Sequence, residues 1–529
     1  MSLFYKESVQ AKNGSKIPVF NSGRAAHSKY NPEREAESFL AEKSGLLFAL
    51  VFGAGAGFHI ASLAARNPAC KILVVEKSAA DLDFLTKEFP TTQALAKNPN
   101  VIFCAAEMPG QLESRLKNNY FPAWHGDMEI AALRPWADEA GGLYEDLLAR
   151  TKEALKDIAA DYATQTRFGG LWQKNAFCNL RLLKKIQEKN SLDQTNQAAA
   201  SEAAALLKAA IICAGPSLDK TVGRLQSAPS EYWTIATDTA YKILRRRNIR
   251  IDAVVSIDAQ RLSAEHFDAA FCKDTIFVLD AAANPSVARY AHENGAKIVF
   301  CNCGHPLLSF AGLYCKRPFA RLDAGGGTVA MAALSFAKAL GFERAEIFGA
   351  DFSYLDGKPY ARGSYLDDLY RMYESRAEPA EKVFCSLMFR APLKKIGADA
   401  FQNDLLLSYQ KSLENFLGQG NYVRENGVWE CRLGGGVLGG QSLLSGARTA
   451  EGILGREILS PNDLDFAAFK DGLRAALEKV QESESLLPEC ALVLPGMARF
   501  EAVFGQNKIS TKEAKKLALN KILLYNKLL

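Results

Sequence analysis

Short apolar segments alternate with helix-like segments between residues 209 and 348, and this alternation constrains the fold more than any other feature of the chain. The apolar segments, which we predict to be strands, are 209–213, 232–236, 253–257, 275–279, 297–301 and 345–348. Segments with helical spacing of apolar residues lie between them at 239–247, 285–294 and 328–340. This alternation is typical of a doubly wound, mostly parallel sheet, so we predict an α/β protein.

The chain has 529 residues, which is too long for one hydrophobic core, so we expect three domains. Residues 1–165 are predicted to form a smaller Rossmann-like α/β domain, and residues 166–385 hold the central sheet. After about residue 370 no strand pattern is clear. Helical patterns at 399–417, 464–480 and 508–529 predict a helical C-terminal domain over 386–529.

Net charge, cysteine content and the length of apolar runs indicate which partners and which cellular compartment to expect. The net charge of +5 is too weak over this length to favour a nucleic-acid partner. Eleven cysteines without paired spacing indicate reduced thiols in a cytoplasmic protein. The longest apolar run, Leu46–Phe52, is far shorter than the roughly 20 residues of a membrane-spanning helix, so we expect no transmembrane segment.

A glycine-rich turn in the N-terminal region allows two readings. The run Leu46–Phe52 leads into Gly53-Ala54-Gly55-Ala56-Gly57, and a second predicted strand, 71–75, ends at Glu76. One reading is a dinucleotide or S-adenosylmethionine site with Glu76 on ribose hydroxyls. The other is that the glycines only allow strand, turn and helix to pack closely.

A second turn follows the first strand of the central sheet. Gly215, Pro216 and Ser217 come directly after the apolar segment 209–213. Glycine lets the backbone approach a ligand, and proline suits the first turn of a helix. The amide groups of such a turn, together with the Ser217 hydroxyl, predict a phosphate site.

Polar residues also follow most of the other predicted strands, and ligands of parallel sheets bind at these ends. They are Asp238 and Thr239, Asp258, Asp280 with Asn284, His305, and Asp351 with Tyr354. They predict a ligand with phosphate and hydroxyl groups, although some could only cap helices. Asp258 and Asp351 are the candidate catalytic acids, and Asp258 could also bind Mg²⁺ or orient a sugar hydroxyl. His305 is the candidate general base, with a turn residue as the alternative.

A glycine loop precedes the long alanine-rich helix predicted at 328–340. Gly326, Gly327 and Thr328 could hold an anion through amide groups and a hydroxyl. No lysine follows the last glycine, so the loop is not a Walker motif.

These motifs together resemble the motility accessory factor (Maf) family and its wider DUF115, or MptE-like, superfamily. The resemblance rests on Cys213-Ala214-Gly215-Pro216-Ser217-Leu218, Ala236-x-Asp238-Thr239-Ala240, Val255–Asp258, Asp280 with Asn284-Pro285, Gly326–Ala330 and Phe348–Tyr354. The first of these turns also resembles that of bacterial sialyltransferases. Segments 27–32 and 53–59 are similar to the N-terminal domain of Maf proteins.

The resemblance implies a glycosyltransferase. It implies transfer of a nonulosonic acid, of pseudaminic or legionaminic type, from a cytidine monophosphate (CMP) donor to Ser or Thr of flagellin. Gly215–Ser217 would face the donor phosphate, and Gly326–Thr328 would lie near the nucleotide or sugar. The CMP-sugar is a substrate, no cofactor is firmly implied, Mg²⁺ is possible, and the base and the oligomeric state are left open.

Three alternatives remain at this stage. One is an ATP- and Mg²⁺-dependent 6-hydroxymethylpterin diphosphokinase with Asp258 and Asp351 as metal ligands. Another is a non-catalytic flagellin-binding factor. The third is an S-adenosylmethionine methyltransferase built on residues 53–76.

Overall fold

The structure, a computed structural model, describes residues 3–39, 41–190, 208–267, 271–325, 327–433, 463–483, 486–505 and 509–529. The chain forms two compact units. The first unit comprises Met1–Gly170 and Arg474–Leu524, and the second comprises Leu171–Leu473 and Tyr525–Leu529.

The first unit contains a parallel sheet and a small hairpin. Its strands are β1 (Tyr5–Gln10), β2 (Lys16–Phe20), β3 (Phe48–Phe52), β4 (Lys71–Glu76), β5 (Val101–Ala105) and β6 (Glu129–Ala132). Its helices are α1 (Pro32–Ser38), α2 (Phe58–Arg66), α3 (Ala79–Glu88), α4 (Pro90–Leu95), α5 (Gln111–Asn119), α6 (Pro122–His125), α7 (Arg134–Ala140) and the first part of α8 (Gly142–Asn190). The sheet order is β5-β4-β3-β6, all parallel, and β1 pairs with β2 antiparallel.

The central strands β3 and β4 are apolar except for Lys71 and Glu76 at the two ends of β4, because both faces of the sheet are covered. Phe48–Phe52 and residues 72–76 are fully buried, so no alternation of polar and apolar residues is visible in the sequence. Such continuous apolar runs are typical of parallel strands. The predicted Rossmann-like fold of the N-terminal region is confirmed.

The second unit is built on a nine-stranded sheet. Its strands are β7 (Lys208–Ile212), β8 (Tyr232–Thr237), β9 (Ala253–Ser256), β10 (Ile276–Asp280), β11 (Lys297–Asn302), β12 (Ala320–Arg321), β13 (Arg344–Phe348), β14 (Tyr354–Leu355), β15 (Lys394–Lys395), β16 (Ala400–Gln402), β17 (Tyr422–Glu425) and β18 (Val428–Arg432). The sheet order is β12-β11-β10-β9-β8-β7-β13-β18-β17. The seven strands from β12 to β13 are parallel, and β18 and β17 pair antiparallel.

The remaining helices of the chain connect strands of the second unit or, between residues 474 and 524, belong to the first unit. They are α9 (Leu218–Thr221), α10 (Gly223–Ser227), α11 (Asp238–Arg246), α12 (Pro285–Glu293), α13 (Pro306–Gly312), α14 (Val329–Ala339), α15 (Tyr365–Met372), α16 (Ala380–Met388), α17 (Asp404–Leu417), α18 (Phe466–Glu482), α19 (Leu494–Phe504) and α20 (Thr511–Leu528). Short 3₁₀ helices lie at Pro229–Glu231, Arg261–His266 and Pro488–Leu492.

The alanine-rich helix α14 packs on one face of the central sheet. It packs against β7, β8 and β9, and its buried residues include four alanines and Phe336. Small side chains let helix and sheet approach closely. Trp233 of β8 and Phe336 are both in this core, with ring centroids 6.3 Å apart. The six strands predicted for residues 209–348 are all present, which confirms the α/β class with a central, mostly parallel sheet.

The region after residue 370 differs from the prediction. Strands β17 and β18 join the central sheet beside β13, and β14, β16 and β15 form a separate three-stranded antiparallel sheet. These strands are short and half-polar, so alternation of polar and apolar residues does not reveal them. The local hairpin of β17 and β18 turns at Asn426-Gly427, a hairpin signal that the sequence analysis missed.

The division into two units also differs from the three predicted domains. Residues 386–433 belong to the second unit because β17 and β18 complete its sheet, and residues 474–524 belong to the first unit. A separate helical C-terminal unit is therefore not seen in the described part of the chain.

Cysteines and long helices show two further features. The eleven cysteines all lie among the described residues and are free thiols. No described helix combines the length and the apolar character needed to cross a membrane.

Candidate functional site

The carboxyl ends of five neighbouring strands, β10, β9, β8, β7 and β13, form one continuous edge, which we call the carboxyl edge. Polar contacts link each strand end to the next. They are the bonds from Asn284 N to Asp258 O (3.0 Å), Ser256 Oγ to Asp238 Oδ2 (2.8 Å), Thr237 Oγ1 to Ile212 O (3.2 Å) and Gly215 N to Gly349 O (2.8 Å). The predicted gathering of strand-end residues is therefore present in the fold.

The turn Gly215-Pro216-Ser217 is held tightly against the end of β13. The Ser217 amide donates to Asp351 Oδ2 at 2.8 Å, and a Cβ on Gly215 would lie 2.3 Å from the carbonyl oxygen of Gly349. Only glycine fits this approach. Gly215 N donates to Gly349 O, Ser217 N donates to Asp351, and Pro216 has no N–H group, so the predicted phosphate role of this turn stays a prediction with both of its amide donors in use.

Asp351 is buried behind this turn. Its Oδ1 has no hydrogen-bond partner among the described residues, and the Arg424 guanidinium of β17 lies 3.7 Å away. Burial raises the pKa of the Asp351 carboxyl, although the bond from Ser217 and the charge of Arg424 oppose this. Asp351 therefore holds the Gly215–Ser217 turn in place. Its predicted catalytic role stays a prediction.

Asp238 begins α11 and is buried at the centre of the carboxyl edge. Its carboxylate accepts bonds from the Thr239 amide at 2.7 Å and from the Ser256 hydroxyl at 2.8 Å. Burial raises the pKa of the Asp238 carboxyl, while the positive form of His266 lowers it. Thr239 is half-buried, and its hydroxyl lies 3.1 Å from that of Thr237.

Asp258 is half-buried at the end of β9, and no helix begins there. Its Oδ1 accepts the Gln260 amide at 2.9 Å. Asn284 beside it is the N-cap of α12, because its Oδ1 accepts the Ser286 amide and its Nδ2 donates to Arg261 O. Both ends of the Asn284 amide are thus engaged, whereas the Asp258 carboxylate can still reach a ligand.

His305 is the N-cap of α13, at the end of β11. Its Nδ1 accepts the Leu307 amide at 3.3 Å, so the neutral ring carries its proton on Nε2. Nε2 is buried and has no partner within the described chain. Burial lowers the pKa of His305 to about 4. The ring is therefore neutral at pH 7, and its geometry matches the turn-residue alternative as well as it matches a base.

The glycine loop before α14 also lies at the carboxyl edge. Because β13 starts at the opposite edge only a few residues after α14 ends, α14 must begin at the carboxyl edge. Thr328 is its N-cap, but the Thr328 side chain makes no capping bond to any described residue. Gly327 is exposed, and Gly326 lies outside the described residues. The first-turn amides of α14 are thus the least occupied anion donors among the predicted ones.

Tyr354 lies in the small three-stranded sheet, paired with Phe401, rather than on a strand of the carboxyl edge. Tyr360, which the sequence reasoning missed, lies nearer: Ala361 donates its amide to Ala214 O at 2.8 Å. Burial raises the pKa of Tyr360 to about 12, with smaller contributions from Tyr354, Tyr370 and Asp238. Arg424 and His266 were also missed. Tyr360 belongs to the segment 360–365, which resembles the part of the family that follows the last sheet strand, whereas no local motif marks Arg424 or His266.

A metal ion would need help from a substrate at this edge. Within the described residues, no three His, Cys, Asp or Glu side chains converge on a common point. Asp258 offers one carboxylate, and both oxygens of Asp238 already accept hydrogen bonds. A single carboxylate binds Mg²⁺ mainly through phosphate oxygens and water. The residues therefore fit Mg²⁺ only together with a phosphorylated ligand.

The glycine-rich turn of the first unit is filled by the chain's own side chains. Glu76 is fully buried and accepts bonds from Ala54 N (2.9 Å), Lys77 N (2.9 Å), Tyr5 Oη (3.0 Å) and Trp136 Nε1. The Ala56 amide donates to His27 Nε2 at 2.9 Å, and a Cβ on Gly55 would lie 2.4 Å from that atom. The close-packing reading therefore explains Glu76 and the glycines, because the chain's own groups occupy the Glu76 carboxylate that the other reading places on ribose hydroxyls.

Comparison with known proteins adds a family and a fold. The sequence profile of the family described as 6-hydroxymethylpterin diphosphokinase MptE-like matches residues 174–357. This range begins within α8 and ends just after β14, so it contains all five strands of the carboxyl edge.

Two uncharacterized proteins of Treponema pallidum (strain Nichols) are similar in sequence. One is 37% identical over 152 residues, which cover 28% of this chain and 54% of that protein. The other is 31% identical over 161 residues, which cover 30% of this chain and 71% of that protein. The chain thus spans about half the length of the first of these relatives.

A solved structure, that of the MAf glycosyltransferase from Magnetospirillum magneticum AMB-1, has a similar fold. The superposition has a TM-score of 0.52 and covers 100% of this chain and 91% of that chain. The sequences are 12% identical, so the likeness is one of fold.

Proposed function

The chain belongs to the MptE-like family, and from this premise we propose that it is a glycosyltransferase. The proposed reaction moves a nonulosonic acid of pseudaminic or legionaminic type from a CMP donor to a Ser or Thr hydroxyl of flagellin, for flagellar assembly. The observation that carries the proposal is the carboxyl edge, where amides, hydroxyls and one accessible carboxylate gather on neighbouring strands. The structural relative with this fold is a glycosyltransferase, which supports the same choice.

The donor phosphate is best placed at the N-terminus of α14. The first-turn amides there lack a side-chain cap from the described residues, and the Thr328 hydroxyl stands beside them. The helix dipole favours an anion at this end. The other predicted phosphate turn, Gly215–Ser217, has its Ser217 amide bound to Asp351. The Gly327 and Thr328 amides both donate to Ala324 O at 2.9 Å. We therefore assign the phosphate to the first-turn amides of α14, from Val329 onward, and to the Thr328 hydroxyl, with Gly215 and Pro216 as neighbours of the nucleotide.

The carboxyl edge supplies what this transfer needs. CMP leaves with the electron pair of the bond between the anomeric carbon and the phosphate oxygen, so amides near that oxygen stabilise the developing charge. The acceptor oxygen forms the new bond to the same carbon, and its proton must pass to a base. Asp258, half-buried beside Asp238, is placed to orient a sugar hydroxyl, alone or through Mg²⁺.

A diphosphokinase is the second candidate, because the matching family profile carries that description. It would transfer diphosphate from ATP to a hydroxymethylpterin and would need Mg²⁺ at Asp258 and Asp351. Asp351 fits this less well, since its Oδ2 accepts the Ser217 amide and its side chain is buried. The edge offers only one accessible carboxylate for a reaction that depends on a metal.

A thermal-shift comparison separates the candidates. CMP, ATP with Mg²⁺, and a hydroxymethylpterin are added in excess to the full chain, because a ligand that prefers the native state raises Tm. We expect CMP to raise Tm and Thr328→Val to weaken that shift, while Thr164→Val, an exposed position on α8, leaves it unchanged. A shift with ATP and Mg²⁺ alone would favour the kinase. Flagellin binding without any nucleotide shift would favour the non-catalytic factor.

A further inference from the structure

His266 is a buried histidine at the carboxyl edge that no sequence motif marks. It ends the 3₁₀ helix Arg261–His266, which follows β9 and packs against α11 and α12. Only 9% of the residue is exposed, and its Nδ1 has no hydrogen-bond partner within the described chain. Leaving a polar ring atom buried and unpaired costs free energy, so such an atom indicates a partner that arrives from outside.

The surroundings of His266 hold the ring in place. The Tyr365 ring packs edge-on against it, with centroids 5.6 Å apart. Tyr365 belongs to a segment tied to the end of β7 through the bond from Ala361 N to Ala214 O. The carboxylate of Asp238, the first residue of α11, lies within electrostatic range of the imidazole. A second carboxylate, Asp258, begins the loop that leads to the 3₁₀ helix.

Hydrogen bonds fix the orientation of the Asp238 carboxylate. The Thr239 amide and the Ser256 hydroxyl hold its two oxygens, which leaves the carboxylate little freedom to turn. Asp238 therefore offers a fixed carboxylate near the imidazole of His266. This arrangement needs a nucleophile, a base and a group that orients the base, and here the substrate hydroxyl is the nucleophile.

We propose that His266 accepts the proton of the acceptor hydroxyl and that Asp238 stabilises the imidazolium that forms. This inference rests on the proposed glycosyl transfer. The acceptor oxygen bonds to the anomeric carbon, the bond from that carbon to the phosphate oxygen breaks, and its electron pair leaves with CMP. The hydroxyl proton moves to His266, which later returns it to water. His266 is then a catalytic residue and Asp238 a positioning residue.

His305, the other histidine near this edge, suits the task less well. Its Nδ1 already accepts the Leu307 amide, and burial holds its pKa at about 4, so it is a weak proton acceptor at neutral pH. It follows β11, which lies outside the five strands of the carboxyl edge.

The test measures CMP release with a CMP-nonulosonic acid donor and flagellin as acceptor. His266→Gln should lower kcat about 100-fold or more, with the Tm shift caused by CMP unchanged. Asp238→Asn should lower kcat less and leave KM for the donor unchanged. In His266→Ala, added imidazole should restore about tenfold of the lost rate, a gain that a merely structural role would not give. The control is His292→Gln, a partly exposed position near the end of α12, which should stay within about twofold of the wild type.

The outcomes separate this assignment from the reaction on which it rests. A wild type that releases CMP, together with a folded His266→Gln variant of near wild-type rate, overturns the assignment and leaves the transferase intact. If His266→Gln fails to fold, the imidazole experiment on His266→Ala decides, and the absence of rescue in a folded variant overturns the assignment. A wild type that releases no CMP overturns both the transferase and the role of His266.

Discussion

Adding a single methyl group at Gly215 should loosen the joint between β7 and β13. A Cβ there would stand 2.3 Å from the Gly349 carbonyl oxygen and 2.5 Å from Asp351 Oδ2, so the two chain segments must separate. The bond from Gly215 N to Gly349 O and the charge-assisted bond from Ser217 N to Asp351 would both weaken. Their loss costs about 1 kcal/mol and about 2 kcal/mol, so Gly215→Ala should lower the free energy of unfolding by about 3 kcal/mol.

Thermal unfolding measures this effect. A loss of this size corresponds to a fall in Tm of about 5 °C for a unit of about 300 residues. Gly223→Ala is the matched control, because nothing lies within 4 Å of its Cβ position at the start of α10. It should keep or slightly raise Tm, since alanine favours helix by up to about 1 kcal/mol over glycine. If Gly215→Ala unfolds within about 2 °C of the wild type, the close approach is not a constraint and the reasoning fails.

Four further predictions concern other parts of the molecule. Glu76→Gln should lower the free energy of unfolding by about 3 kcal/mol, because the NH2 group of glutamine would face at least one of the four donors that now bond to the Glu76 carboxylate. Denaturant unfolding measures this loss, with Glu7→Gln at an exposed position as the control. S-adenosylmethionine and NAD should leave Tm of the wild type unchanged, and a rise of several degrees would contradict the filled turn. Asp258→Asn should lower transfer about 100-fold while the Tm shift with CMP persists, whereas an unchanged rate would remove Asp258 from the site. Burial lowers the pKa of His305 to about 4, so between pH 6.5 and 4 the unfolded chain binds a proton more readily than the folded chain. As pH falls through this window, the free energy of unfolding of the wild type should fall by up to about 3 kcal/mol relative to that of His305→Asn. Parallel curves of unfolding free energy against pH would show that His305 is not buried in its neutral form.

Most of the central sheet could be predicted because its strands are mostly apolar and are separated by helices. The predicted segment 253–257 corresponds to β9 at Ala253–Ser256, and 345–348 corresponds to β13 at Arg344–Phe348. The carboxyl edge could be predicted because the carboxyl ends of parallel strands lie at the same edge of a sheet. The strands β17 and β18 escaped prediction because they are short and half-polar. Pairing with β13, more than 70 residues away, holds β18 in the sheet, and β17 joins the sheet only through its hairpin with β18.

The chemistry of the candidate site could be predicted less well, because it depends on contacts between distant residues. Ser217 and Asp351 are 134 positions apart, yet the carboxylate takes the amide that was predicted for phosphate. Glu76 meets Trp136 and Tyr5 from other parts of the chain, which turns a nucleotide-like motif into a packed core. His266 has no motif around it, and only its burial beside Asp238 draws attention to it.

Mass spectrometry of flagellin after incubation with the full chain and a CMP-nonulosonic acid tests the central claim most directly. If the chain is the proposed glycosyltransferase, Ser or Thr residues of flagellin gain the mass of one nonulosonic acid, and one CMP is released for each sugar transferred. Unmodified flagellin and unconsumed CMP-sugar, together with ATP- and Mg²⁺-dependent formation of a pterin diphosphate, would contradict it and establish the kinase instead.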